Sequence, residues 1–160
     1  MKIKCCKNVL YKKYIELSNK EKAIYFYNTT WKDIFLKDEE IVKYSETERQ
    51  TGRLKRDNIE ILLHSFAVIK GFYDPDKHTL TNLSKLYKEK VNTFNSINDL
   101  ENFITEIIEY AKIYKEKILT FNSEVSLSFE ESITRLLHIL EVLEFSTFHP
   151  FILHIFFYEI

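Results

Sequence analysis

Five histidines, His64, His78, His138, His149 and His154, are the side chains here most suited to holding a metal ion or moving a proton near neutral pH. Two imidazoles on a helix share a metal when they stand three or four positions apart. His149 and His154 are five apart, about 140° round a helix at about 100° per residue, so their rings diverge. His64 in "LLHSF" and His138 in "LLHIL" sit inside apolar stripes, where a packed histidine with a single hydrogen bond is the expectation. Cys5 and Cys6 are neighbours whose side chains point apart, and without a second pair they make neither a disulfide framework nor a zinc set. Neither a metal nor another cofactor is expected.

Nucleophilic and phosphate chemistry fare no better. The sequence contains no G-x-S-x-G, no P-loop, no G-x-G-x-x-G and no H-E-x-x-H. The paired carboxylates Glu39–Glu40 and Glu130–Glu131 are adjacent, so on a helix they point to different sides and suit helix amino termini better than a shared substrate. The reading is that the chain is not an enzyme.

Charge is the remaining chemical asset. Net charge is −1, but residues 1–56 hold 14 Lys and Arg against 8 Asp and Glu, while residues 57–160 hold 9 against 16. The basic third could attract nucleic acid or an acidic partner, although a solvated basic face explains it as well. Its candidate nucleic-acid contacts are Lys7, Lys12 and Lys13, interleaved with Tyr11 and Tyr14, and Arg49, Arg53, Lys55 and Arg56 around Gly52.

The elements that carry these residues read as helices. Two glycines and two prolines in 160 residues supply too little turn chemistry for a sheet protein. "SNKEKAIYFYNTTWKDIF" opens on a capping box, Ser18 and Glu21, and places Ile24, Tyr27, Trp31 and Ile34 toward a core. Before it, "VLYKKYIEL" carries Leu10, Tyr14 and Leu17 on one stripe. "DEEIVKYSETERQTGR" is expected to be a polar helix. "RDNIEILLHSFAVIKG" is capped by Asp57 and Glu60, with Gly71 as its stop, and "LTNLSKLYKEKV" follows. "NDLENFITEIIEYAKIYKEKILTF" starts at Asn98 and Glu101 and holds one apolar face for about six turns. Ser128 and Glu131 cap "SFEESITRLLHILEVLEF", with Ile133, Leu136, Leu137, Leu140 and Leu143 inward, and Pro150 suits the first turn of a last helix. An all-α bundle of six to seven helices, one domain over residues 1–160, is the expected fold.

The order of these stretches resembles the helical part of GmrSD-type (DUF262-like) restriction proteins, bacterial anti-phage proteins with a ParB-like amino-terminal domain and often an HNH-type nuclease. Leu10, Tyr11 and Trp31 match that family's Leu-Tyr segment and the tryptophan helix after it. Tyr110, Ala111 and Tyr114 match its Tyr-Ala-x-x-Tyr, and Leu136, Leu140 and Phe148-His149-Pro150 match its Leu-rich helix and aromatic-Pro step. The family's Asp-Gly-x-Gln-Arg stretch, its Asn-x-x-Gly loop and its HNH motif do not occur here, so no catalytic residue carries over. The resemblance implies a fragment or stand-alone piece of a larger protein, a non-catalytic module that positions partner domains or contacts DNA.

A rival reading is a helical protein–protein interaction module that oligomerises through its last helix, with Phe151, Ile155, Phe156 and Phe157 as the interface. Residues 151–160 would make a helix of about 15 Å, half of a ~30 Å hydrocarbon core, so no membrane partner is expected. The start "MKIKCCKNVLYKKY" has no apolar signal region, and a cytoplasmic location is the expectation.

Overall fold

The computed structural model describes residues 3–37, 39–51, 54–119, 131–143 and 145–158. Its centre is α5 (Asn58–Ile69), a helix apolar on almost every side, with Ile59, Ile61, Leu62, Leu63, Phe66 and Ala67 all buried. Around it pack α4 (Glu39–Glu46), α7 (Ile97–Ile113) and α9 (His149–Tyr158). A second group joins α1 (Ile3–Leu17) to α2 (Lys20–Thr29), α6 (Leu83–Asn92) and α7, so α7 ties the two halves into one core. Among the described residues the fold is all-α apart from one small hairpin.

Local chemistry explains several helix ends. α5 stops at Gly71, whose φ of 71° only glycine adopts without strain. The Gly71 amide donates to the Val68 carbonyl at 3.0 Å and the Phe72 amide to Ala67 at 3.1 Å, the paired bonds of a Schellman stop. α7 begins at Ser96, whose hydroxyl accepts from the Asn98 amide, two residues before the expected Asn98 cap. Its apolar face, Leu100, Phe103, Ile104, Ile107, Ile108 and Ala111, is buried as its spacing predicts. α7 then widens into a π-helical turn over Tyr114–Leu119.

Three expectations are corrected. The cap of α2 is Asn19, whose Oδ1 accepts from the Lys22 amide at 2.9 Å; the Ser18 hydroxyl turns back to the Tyr14 carbonyl. The helix expected across residues 18–35 breaks at Thr30, and α3 (Trp31–Phe35) starts afresh. Thr29 and Thr30 hydroxyls both donate to carbonyls four residues back, which bends a helix, and the change of phase leaves Ile24 at the surface while Ala23, Trp31 and Phe35 go in.

The polar helix expected over residues 38–53 ends at Glu46. Its remainder forms β1 (Glu48–Thr51), paired antiparallel with β2 (Leu54–Asp57). Thr51, β-branched, suits a strand.

Candidate functional site

The hairpin register decides what its cations can do. Arg49 stands opposite Arg56 and Gln50 opposite Lys55, so the arginines share one face and Lys55 lies on the other. On the inner face the Arg56 guanidinium donates to the buried Glu60 carboxylate, one turn into α5. Arg49 also has a partner, and Lys55 is exposed. Arg53 lies outside the described residues.

The three candidate lysines of α1 do not gather either. Lys7 sits over the Tyr27 ring at 4.4 Å, Lys13 approaches Glu16 at 3.6 Å, and Lys12 is exposed. At about 100° per residue they point in three directions round the helix. α1 is packed on α2, α6 and α7, whereas the hairpin rides on α5. The described candidates thus divide into Arg49 and Arg56, which share one face of the hairpin, and scattered lysines.

The histidines are likewise dispersed. His149 is buried with Nδ1 3.5 Å from the Tyr114 hydroxyl, and burial followed by the Arg49 charge pushes its pKa down to about 4. His64, half-buried with its ring edge-on to Tyr73, is also pushed down to about 4, first by burial and then by Arg56. The His78 Nδ1 accepts from the Asp74 amide at 2.9 Å, and His154 is exposed. Among the described residues no three His, Cys, Asp or Glu stand together in a way that could hold a metal ion. Nor is any described helix long and apolar enough to cross a membrane.

The last helix is not the bare surface its sequence suggests. Ile152, Leu153 and Phe156 of α9 are buried against α5 and α7, and Phe157 stacks on Tyr110 with ring centroids 4.2 Å apart. Of the four expected interface residues, Phe151 is exposed, Ile155 and Phe157 are half-buried, and Phe156 faces the core.

The exposed apolar surface belongs instead to α8 (Ser132–Val142), where a buried stripe was expected. Leu140 is buried and Leu137 partly so, but Ile133, Leu136, Ile139 and Val142 are 45 to 62 % exposed. Among the described side chains of α8, those that are exposed are all apolar apart from Ser132. The surface continues through exposed Leu143, Phe145 and Phe148, across a short 3-10 turn, to Phe151 at the start of α9. Sequence reasoning found this stripe but assigned it to the core, because periodicity reports an apolar side and not what covers it.

Fold and surface together define a mainly α-helical protein that presents one apolar helix face. No family model matches the chain, and neither a curated protein nor a solved structure matches it.

Proposed function

We propose that the chain is a non-catalytic helical interaction module, and that α8 with Leu143, Phe145, Phe148 and Phe151 is its docking surface for a second copy of itself. The observation that carries this reading is the exposed run Leu136, Ile139 and Leu143. These stand at i, i+3 and i+7, the spacing at which one helix packs along another. A ridge of this kind meets its own copy about a two-fold axis, apolar against apolar, without needing charge to select the partner. Monomers seldom leave an apolar patch of this extent in water. A role as the helical middle of a GmrSD-type restriction system rests on the sequence resemblance alone, and a self-associating module that positions partner domains would serve it.

Sedimentation over a range of protein concentrations tests the reading. The expected result is a reversible dimer, lost in the double variant Leu136→Asp/Ile139→Asp. Both positions are exposed, so the variant should keep the wild-type circular dichroism spectrum and melting temperature. A wild-type chain that stays strictly monomeric at high concentration would sink the proposal. Phe156→Asp is the wrong probe, since it places a charge in the core.

A further inference from the structure

A cavity of about 310 Å³, open on one side, lies between α3, α4, the first turn of α5 and the end of α7. Small-molecule sites start at about this size. Its inner wall is apolar, built from Ile34, Phe35, Ile41, Ile59, Leu62 and Tyr114, with the buried Asn58 among them. Its rim is charged. Lys37, Lys112 and Lys115 face Asp33 and Glu116, three ammonium groups to two carboxylates, an excess of one positive charge.

That excess is localised. Asp33 pairs with Lys37 at 3.2 Å, which cancels both, and the Glu116 charge offsets one of the other two ammonium groups. Lys112 and Lys115 remain, both exposed and three residues apart, where α7 passes into the π-helical turn that begins at Tyr114. Wide turns of this sort recur at functional sites, and here the turn contributes Tyr114, Lys115 and Glu116 to the cavity.

An apolar wall under a rim with one spare positive charge suits a particular chemistry. A nucleotide or other polyanion would find too little positive charge and the wrong floor. A cation would meet two lysines, and a purely apolar molecule would gain nothing from them. We propose that this cavity binds a monoanionic amphiphile, a medium-chain fatty carboxylate. Its alkyl tail lies against Ile34, Ile41, Ile59 and Leu62, and its carboxylate sits between Lys112 and Lys115. The site is separate from the α8 surface, so the two proposals stand or fall independently.

Titration calorimetry with decanoate tests it, with decanol and decyltrimethylammonium as the neutral and cationic probes. Decanoate should bind saturably at one site per chain, below its micelle concentration and more tightly than either analogue. Lys112→Glu/Lys115→Glu should weaken decanoate about tenfold or more and leave the melting temperature unchanged, because both side chains are exposed. Ile41→Trp, which fills the cavity from its apolar wall, should remove binding of decanoate; should that variant not fold, the rim variant decides alone. Absence of saturable binding, equal binding of the three probes, or an unchanged affinity in the rim variant would each overturn the proposal.

Discussion

His149 enters α9 as a buried base, and its neutrality has a consequence for stability. Burial, and then the charge of Arg49, lower its folded pKa to about 4 from an ordinary value of 6.5. Between those values the unfolded chain takes up a proton that the folded chain refuses. Stability is therefore full above pH 6.5, falls as pH drops toward 4, and loses nothing further from this group below that. A shift of that size corresponds to roughly 3 kcal/mol. His64 is displaced in the same direction, adding to the acid sensitivity, although its half-exposed position softens its share. Urea melts should show wild type losing stability from pH 7 to pH 4.5, and His149→Gln losing distinctly less; equal losses in both would refute the assignment. Tyr14 offers a check that does not involve histidine. Its buried hydroxyl donates to the Glu101 carboxylate, and Tyr14→Phe should cost about 1–2 kcal/mol in the same melts.

At the scale of elements, β2 turns a residue that reads as a DNA contact into a structural one. Arg56 and Glu60 are both largely buried, so removing the arginine leaves a carboxylate without its main counter-charge. Arg56→Ala should cost about 3 kcal/mol or more, whereas Lys55→Ala, on the outer face, should stay within about 0.5 kcal/mol of wild type. Chemical denaturation measures both, and comparable small losses would show that the inward pairing contributes little. Tests of nucleic-acid binding accordingly belong on Lys12 and Lys55, where a charge can be changed without unfolding the protein. The same contrast shows how much the sequence discloses. α5, α6 and α7 are legible because their stripes are wide or strict and their stops are chemical, as at Gly71. The hairpin is hidden because a charged stretch with one glycine fits a polar helix as well as two short strands. α8 has the pattern of a core helix, and nothing local says that the pattern stays uncovered. That last gap is where the candidate surface lies, so the proposed site was visible as a stripe and invisible as a site.

Across the whole molecule, charge and exposed apolar area fall on different elements, and this separation can be measured. The amino-terminal excess of 14 cations over 8 acids is spread over α1, α2 and the hairpin, with some of it neutralised internally, as at Arg56 and Glu60. The exposed apolar ridge occupies α8 and the approach to α9. A dimer built on Leu136, Ile139 and Leu143 therefore joins through surface that ionic strength scarcely affects. Raising NaCl from about 0.1 M to about 1 M shortens the screening length from ~10 Å to ~3 Å. Over that range the dissociation constant of the dimer should change by less than about threefold, or tighten, because salt weakens charge contacts and leaves apolar burial in place. A complex held by the lysines of α1 or the hairpin would behave oppositely, since each phosphate contact releases counterions and affinity falls steeply with salt. Sedimentation at the two salt concentrations separates the cases. A dimer that dissociates in high salt would move the interface from α8 to the basic third and overturn the proposed surface.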